Sequence, residues 1–267
     1  MKIQGNLLKM SALYSSPIQY KIFLGGKEID LNSLIGKPIR IQYLHQINCI
    51  RCGRVTQKSF AQGYCYPCFQ TAPETEECVL RPELCQAHEG IARDFAYAET
   101  HCLIDHYVYL SFTSNVKVGV TRHTQIPTRW IDQGALQAIK VAKTPNRYLA
   151  GCIEVDLKAH FADKTNWRQM LSNDNVSVSL SEIKEEAAGL LDPEYHKFLV
   201  KDSAPVPLEY PGSTADLPAL RSISLDKDPV VQGQLVAIKG QYLIFEDGAA
   251  LNVRKHDGYL IELSKEF

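Results

Sequence analysis

The sequence has no long hydrophobic run and no large excess of either charge. No apolar segment approaches the roughly 20 residues that a membrane-spanning helix needs. Residues 1–16, MKIQGNLLKMSALYSS, lack both a continuous apolar core and a small-residue cleavage site. We therefore expect neither a membrane span nor a signal peptide, and we expect a cytoplasmic location. The formal net charge of −1 gives the whole molecule no strong attraction to nucleic acid.

The composition is that of an ordinary globular protein. The chain has 267 residues, of which 45% are hydrophobic and 22% are charged. This length allows one elaborate domain or two small ones with their own cores. Eight cysteines are present, and in a reducing compartment they are more often metal ligands or buried thiols than disulfides.

Four of the cysteines form two C-x2-C pairs that are separated by twelve residues. They are Cys49, Cys52, Cys65 and Cys68, which we call the four-cysteine site. Tight turns at such pairs converge four thiolates on one tetrahedral Zn2+, and a site with four cysteine ligands keeps no open position for catalysis. The sequence therefore predicts one structural zinc ion. Whether this module binds nucleic acid, binds a protein or only braces a loop stays open.

A second, looser set of metal-binding residue types follows. Its members are Cys78, Cys85, His88, His101 and Cys102. A second zinc ion with Cys78, Cys85, His88 and one of the last two residues as ligands is one interpretation, with Cys102 as our choice. Scattered residues that each have a separate role are the equally weighted alternative.

The periodicity of the chain predicts an α+β fold. Its centre is a small three-stranded antiparallel sheet with helices, preceded by the zinc-knuckle insertion. The β-rich ends are expected to pair with each other in a small barrel or sheet. The predicted segments are a β-rich N-terminal part (1–48), a Cys-rich zinc module (49–105), an α/β core (106–202) and a linker with a β-rich C-terminal part (203–267).

Several elements are predicted from turn and capping residues. Gly25-Gly26 and Asp247-Gly248 suit hairpin turns, and Ser179-x-x-Glu182 is a capping box. The elements expected in the core are strands over 107–112, 116–120 and 136–142, and helices over 127–133, from Thr144 to about Phe161, and over 182–199.

Positive charge is concentrated in one part of the chain. Between Lys117 and Arg147 there are six Lys and Arg residues and one acid, Asp132. A local basic face is compatible with a DNA or RNA partner, and Arg122 and His123 are candidates for such a phosphate-binding surface. An ordinary solvated surface explains the charge equally well.

The order of residues in the core resembles the GIY-YIG nuclease superfamily. Tyr109 lies in the first strand, Lys117-Val118-Gly119 in the second, Arg129 in a helix, and Glu154 in the helix after the third strand. The resemblance covers about residues 106–166. It implies that Tyr109 helps to activate water, that Arg129 neutralises phosphate charge and that Glu154 binds one Mg2+ or Mn2+. Asn166 would occupy the asparagine position of the superfamily.

Three positions depart from the superfamily pattern. Lys117 replaces the second tyrosine, Tyr107-Val108 replaces the leading Gly-Ile, and Gln133 stands where a histidine is expected. A lysine at this position can still contact phosphate or lower the pKa of a neighbouring phenol.

The chain as a whole, with its RWIDQGA and GYCYPC blocks and β-rich ends, is also similar to an uncharacterised bacterial protein family of unknown function. Three functions follow as hypotheses. The first is a metal-dependent nuclease with a structural zinc module. The second is a nucleic-acid-binding module that lacks catalysis, and the third is a protein-interaction module braced by zinc.

Overall fold

The structure of the protein is a computed structural model that describes residues 2–161, 166–172 and 178–265. Its β-strands are β1 (Lys2–Asn6), β2 (Ser11–Leu13), β3 (Gln19–Leu24), β4 (Lys27–Asp30), β5 (Pro38–Asn48), β6 (Val55–Thr56), β7 (His106–Phe112), β8 (Val116–Arg122), β9 (Gln137–Thr144), β10 (Val206–Pro207), β11 (Arg221–Ile223), β12 (Val230–Lys239), β13 (Tyr242–Phe245), β14 (Ala249–Asn252) and β15 (Tyr259–Ser264). Its α-helices are α1 (Tyr66–Thr71), α2 (Phe95–His101), α3 (Thr128–Asp132), α4 (Arg147–Lys158), α5 (Trp167–Leu171) and α6 (Leu180–Leu190).

The chain divides into two compact units. The first unit comprises residues 1–70, 171–173 and 209–267, and the second comprises residues 71–170 and 174–208. The four-cysteine site therefore belongs to the first unit, and the later cysteines belong to the second. Whether the four predicted segments are separate domains stays a prediction.

The main sheet of the first unit joins the two ends of the chain. Its strand order is β1-β15-β5-β12-β13-β14-β11, with β6 paired to β5. Strand β1 runs antiparallel to β15, so that Lys2 faces Ser264. The expectation that the β-rich ends pair is confirmed. Among the described residues the order runs from β1 at one edge to β11 at the other, so the ends form an open sheet and not a barrel.

A second sheet of the first unit contains the predicted N-terminal hairpin. Strands β2, β3 and β4 pair in that order, and the turn between β3 and β4 is Gly25-Gly26. Both glycines have positive φ angles, 58° and 75°. Two-residue hairpin turns of this kind require that conformation, which a side chain would strain.

The sheet of the second unit has the order β10-β9-β7-β8. Strand β7 pairs antiparallel with both β8 and β9, which confirms the predicted three-stranded antiparallel sheet. Helices α4 and α6 bury one apolar face each against it, and the core they form includes Val108, Leu110, Ile139, Val141, Ile153, Leu157, Leu180 and Ala187. This core fixes the sheet that carries Tyr109 and Lys117.

Helix α4 begins later than the sequence suggests. Its N-cap is Asn146, whose side chain accepts a hydrogen bond from the backbone N–H of Leu149. The predicted cap, Thr144, is still the last residue of β9, because a residue before proline is disfavoured in the helical conformation. The helix ends at Lys158, short of Phe161.

The helix predicted over 182–199 is also shorter. The expected cap is present, since Ser179 accepts from the backbone N–H of Glu182, but α6 ends at Leu190. Pro193 lacks a backbone N–H and opens a separate 3-10 turn, Pro193–Phe198. Among the described residues, no helix has the length and apolarity needed to cross a membrane.

Candidate metal centres and a candidate catalytic cleft

The four thiols of the four-cysteine site lie within 4.8 Å of one another. The first pair sits in a turn that follows β5, in which the backbone N–H of Gly53 donates to the carbonyl of Cys49 at 2.8 Å. Gly53 has a φ of 71°, a left-handed conformation that glycine adopts without strain. The second pair opens α1, whose Phe69 N–H donates to the carbonyl of Cys65. Two local turns thus bring the four sulfur atoms together.

Hydrogen bonds favour the thiolate form of one cysteine of this site. Burial raises the pKa of the Cys49 thiol, but backbone hydrogen bonds from Cys65, Cys52 and Arg51 outweigh it and bring the pKa down to about 6. A group of four cysteines fits a tetrahedral, thiophilic ion such as Zn2+.

Three further cysteines form a second cluster, which we call the cysteine triad. Cys78, Cys85 and Cys102 are all buried, and their sulfur atoms lie within 4.8 Å of one another. They come from a 3-10 turn (Glu77–Val79), from the residue after a second 3-10 turn (Pro82–Leu84) and from the C-cap of α2. No single turn makes this cluster, so it depends on the packing of three separate stretches.

The triad is accompanied by a buried arginine. Arg147, the first residue of α4, is 8% exposed. Its guanidinium donates to Cys78 Sγ at 3.5 Å and to the carbonyl of His101 at 3.2 Å. Its own backbone N–H donates to the carbonyl of Cys102 at 2.8 Å. The arginine is therefore fixed to the triad through both its side chain and its backbone.

Charge couples the arginine and the thiols. Burial lowers the pKa of Arg147, but its electrostatic interactions with Cys102 and Cys78 and its hydrogen bond to Cys78 outweigh burial, and the net shift of the pKa is upward. Hydrogen bonds from the Cys102 and Cys78 thiols lower the pKa of Cys85 to about 3, and the hydrogen bonds of Cys102 with Cys78 and Cys85 raise the pKa of Cys102. The sequence contained one signal for this arrangement. Arg147 is a cation in the first turn of a helix, where the helix dipole is unfavourable to positive charge, and a nearby anion would offset that cost.

His88 stands apart from the three thiols. It is not among the atoms grouped within 4.8 Å, and its ring stacks on that of Tyr148 with 4.4 Å between centroids. It does line a cavity of about 580 Å3 together with the three cysteines of the triad. The structure thus brings together three of the four residues predicted for a second zinc site, and the role of His88 as a ligand stays a prediction.

The four candidate catalytic residues line one cleft of about 190 Å3. Tyr109 comes from β7, Lys117 from β8, Arg129 from α3 and Glu154 from α4. The remaining lining residues are Val79, Leu80, Pro82, Val118, Gly119, Val120, Gln133 and Lys158. The cleft therefore combines the strand ladder with a wall taken from the stretch between Cys78 and Cys85.

Tyr109 is held by two partners. It pairs with Gly119 across the β7–β8 ladder, and a Cβ added to Gly119 would lie 2.7 Å from the Tyr109 Cζ and Oη atoms. Only a glycine leaves room for the ring at this position. The Tyr109 hydroxyl donates a hydrogen bond to Gln133 Oε1 at 2.8 Å. Burial raises the pKa of Tyr109, and Arg129 opposes this shift.

Glu154 is a buried acid on α4. Lys158 Nζ lies 3.3 Å from its Oε2, one turn along the same helix. Oε2 is thus ion-paired with Lys158, and within the described part of the chain it makes no hydrogen bond of regular geometry. Burial raises the pKa of Glu154, and Lys158 opposes this shift.

Lys117 is an unusually buried cation. It is 7% exposed, and burial together with the charge of Arg129 lowers its pKa to about 8. Arg129 is half-buried. Two cations and a phenol are thus held close together in a region that water reaches poorly.

Three other predicted residues lie outside the cleft. Arg122 is half-buried, and burial lowers its pKa while the charge of Tyr97 opposes that shift. Exposed His123 faces the carbonyl of Asp105, with Nδ1 at 3.2 Å. Asn166 accepts a hydrogen bond from the backbone N–H of Arg168 at 3.1 Å, at the start of α5. Contact of these residues with nucleic acid stays a prediction.

Sequence reasoning missed two parts of these sites. One is Arg147, which counted only as part of a basic stretch. The other is the wall formed by Val79, Leu80 and Pro82, which carries no motif. Both depend on tertiary contacts with the segment that carries Cys78 and Cys85, which has little regular periodicity.

One family model matches the chain over residues 36–261, and its description is protein of unknown function DUF2797. Comparison with curated proteins and with solved structures finds no match. The chain belongs to the DUF2797 family.

Proposed function

We propose that this member of the DUF2797 family hydrolyses phosphodiester bonds in DNA or RNA with the help of a divalent cation. One observation carries the proposal. Tyr109, Lys117, Arg129 and Glu154, which lie far apart along the chain, line the same cleft. The proposal agrees with what the resemblance to the GIY-YIG superfamily implies for these four positions.

The charges of the cleft suit a phosphate group. Lys117, Arg129 and Lys158 supply three cations against the single carboxylate of Glu154. Fixed cations in a partly dehydrated site stabilise the charge that develops on a phosphate oxygen, because they need little reorganisation during the reaction. The planar guanidinium of Arg129 is suited to two parallel hydrogen bonds to phosphate oxygens.

Tyr109 is oriented to accept a hydrogen bond from water. Its hydroxyl proton is directed to Gln133 Oε1, and the Arg129 guanidinium hydrogen-bonds its oxygen, which leaves one lone pair of Oη for a further donor. The attacking water adds its oxygen to phosphorus, the bond from phosphorus to the leaving oxygen breaks, and the proton that the water gives up ends on that departing oxygen. Gln133 is a positioning residue in this scheme because it acts through Tyr109.

Glu154 fits the needs of a hard cation. Its buried Oε2 makes no hydrogen bond of regular geometry among the described residues, and Mg2+ is commonly bound by one or two carboxylates together with water and substrate phosphates. A bound Mg2+ or Mn2+ would supply Lewis-acid activation of the phosphate. Lys158 would hold the carboxylate in place before the cation binds.

The first test is cleavage of mixed single- and double-stranded DNA and RNA with Mg2+ or Mn2+. We expect cleavage by the unaltered protein, and a loss of at least about 100-fold in Glu154→Gln and in Tyr109→Phe. The matched control is Glu186→Gln, an exposed acid on α6. Absence of cleavage with every substrate would overturn the proposal. Full activity of both cleft variants would show that cleavage does not take place in this cleft.

A second test uses the unfavourable burial of Lys117. Its folded-state pKa of about 8 lies below its ordinary value of 10.5. The folded state therefore opposes protonation, with the full penalty present below pH 8 and lost as the pH rises toward 10.5. We expect Lys117→Met to stabilise the protein at pH 7 by on the order of 2–3 kcal/mol and to lower cleavage.

Urea unfolding at pH 7 and at pH 10 measures this effect, and the gain in stability should shrink at the higher pH. Lys201→Met, at an exposed position, is the control, with an expected change within about 0.5 kcal/mol. A Lys117→Met variant that is stabilised and fully active would show that the buried charge serves no step of the reaction.

A binding function without catalysis is the second candidate. The four-cysteine module exposes Ile50, Val55 and Tyr66, which are 38%, 60% and 51% exposed. Exposed apolar side chains beside a metal site favour a protein or base contact. Nucleic-acid binding that weakens steeply with salt, without cleavage, would select this candidate.

A further inference from the structure

The stretch between Cys78 and Cys85 links the cysteine triad to the cleft. Val79, Leu80 and Pro82 lie between these two cysteines and line the cleft. The backbone of Pro82 and Glu83 packs against Gly151 of α4 so closely that any Cβ on Gly151 would overlap it. Gly151 precedes Glu154 by one helical turn. The position of this short stretch therefore affects both the cleft wall and the helix that carries the acid.

We propose that the cysteine triad binds a divalent metal ion as three thiolates, that Arg147 balances the remaining negative charge, and that this metal fixes the wall of the cleft. The part that concerns cleavage rests on the function proposed above. The part that concerns the metal and Arg147 does not.

The geometry of the three sulfur atoms supports the metal. They lie within 4.8 Å of one another and are buried. Sulfur atoms on a tetrahedral Zn2+ are about 3.8 Å apart, given a Zn–S distance of about 2.3 Å. The three thiols are thus close to the spacing that coordination requires, and they come from stretches that no disulfide joins.

The buried arginine supports the thiolate form. A guanidinium removed from water is stable only beside an anion. The acceptors of the Arg147 guanidinium are Cys78 Sγ and the carbonyl of His101, and of these two only the sulfur can carry a full negative charge. If a divalent metal ion keeps the thiols deprotonated, the guanidinium of Arg147 always lies beside a negatively charged sulfur.

The charges also specify the chemistry of the fourth ligand. Three thiolates and one divalent ion leave a net charge of −1, and Arg147 brings the buried group to zero. A neutral donor, an imidazole or a water molecule, keeps that balance, whereas a fourth thiolate or a carboxylate would disturb it. The adjoining cavity of about 580 Å3 leaves room for such a donor, and His88 lines it. Glu76, Glu77, Glu83 and Glu89 line the same cavity, and the charge balance disfavours their carboxylates as the fourth ligand.

The first experiment counts and characterises metal in the full-length protein. Native mass spectrometry should find two zinc ions per chain, one in Cys78→Ser and one in Cys49→Ser. Cobalt substituted into the double variant Cys49→Ser/Cys52→Ser, which keeps only two thiols of the four-cysteine site, should give the charge-transfer absorption of three thiolate ligands. A single zinc ion in the unaltered protein, or a cobalt spectrum without thiolate ligands at the triad, would overturn the proposal.

The second experiment tests the arginine. Competition with a chromophoric chelator should show that Arg147→Met weakens zinc binding at the triad by about 10- to 100-fold, while Arg147→Lys, which keeps the charge, retains more of the affinity. The matched control is Arg168→Met on α5, at an exposed position. Equal zinc affinity in Arg147→Met and in the unaltered protein would show that Arg147 does not balance the charge of the metal-bound triad.

The third experiment tests the wall without any substitution. Hydrogen exchange before and after zinc removal should show faster exchange in peptides that cover residues 79–84, with little change in peptides from α6. If cleavage occurs, its rate should recover in proportion to zinc returned to the triad. Unchanged exchange at residues 79–84 would show that the metal does not fix the cleft wall. If the protein never cleaves nucleic acid, the zinc count and the zinc affinities still test whether the triad binds metal.

Discussion

The four-cysteine site and the cysteine triad differ in how their ligands are brought together. The ligands of the four-cysteine site come from two C-x2-C turns, and one of them, Cys52, is exposed. The second draws on three separate stretches, and all its members are buried next to the buried cation Arg147. Local backbone conformation makes the first site, whereas tertiary packing and charge make the second.

This difference has a practical consequence for how each site responds to change. A site made by local turns should be sensitive to backbone conformation and insensitive to distant packing. A site made by packing should be sensitive to any atom added between its stretches. Four experiments, in order of decreasing expected effect, test this contrast.

Removal of metal should have the largest effect, in two separable steps. We expect a chelator to take metal first from the four-cysteine site, because Cys52 is exposed, and later from the buried triad. Structural zinc contributes on the order of 10 kcal/mol to the folding of a small site, so each loss should lower the free energy of unfolding by several kcal/mol. Stopped-flow absorbance should resolve two phases, and Cys49→Ser should abolish the faster one. A single phase of metal release would show that the two sites do not differ in how readily they lose their metal.

Gly151→Ala should have the next largest effect. Alanine favours a helix over glycine by about 1 kcal/mol, but its Cβ would overlap the backbone of Pro82 and Glu83. Overpacking of this kind typically costs about 1–3 kcal/mol, so we expect net destabilisation in urea unfolding. A gain in stability would mean that the stretch between Cys78 and Cys85 yields easily, which would also weaken the proposed wall.

Gly53→Ala should have a moderate effect for a different reason. Nothing lies within 4 Å of a Cβ at this position, yet the φ of Gly53 is +71°. The strain of a left-handed conformation costs about 1 kcal/mol or slightly more. We expect zinc affinity at the four-cysteine site to fall by about tenfold, and Gly53→Asn to be milder because asparagine tolerates this conformation. Equal affinities in all three proteins would show that the turn is not what positions the thiols.

Gly189→Ala should have the smallest effect, and it should be favourable. This glycine lies in α6, and nothing is within 4 Å of a Cβ there. We expect a gain of about 0.5–1 kcal/mol from helix propensity alone. Thermal unfolding measured beside Gly151→Ala makes it the matched control, since the same substitution in two helices of one unit should then have opposite signs.

The same contrast explains how much the sequence could predict. The convergence of the four-cysteine site, the Gly25-Gly26 hairpin and the three-stranded sheet were predictable because each rests on local spacing or alternation. Helix α6 had a readable cap at Ser179, but its end depended on Pro193. The start of α4 was misplaced because Thr144, which resembles a cap, was needed to complete β9.

The candidate cleft was predictable in its residues and not in its walls. Tyr109, Lys117, Arg129 and Glu154 were named from their order along the chain, and this order says nothing about the segment that packs beside them. The stretch around Leu80 is a succession of 3-10 turns without periodicity. Its place beside α4 follows from the close approach at Gly151, which no pattern of residues reveals.

The pairing of Tyr109 with Gly119 links two positions that would otherwise vary independently. The glycine supplies the empty volume in which the aromatic ring lies. A relative with a larger residue at the position of Gly119 could not keep the ring in the same place, so it should carry a smaller side chain at the position of Tyr109. The phenol and the volume that holds it would then be lost together, and inspection of these two positions would separate relatives that could perform the proposed reaction from those that retain only the fold.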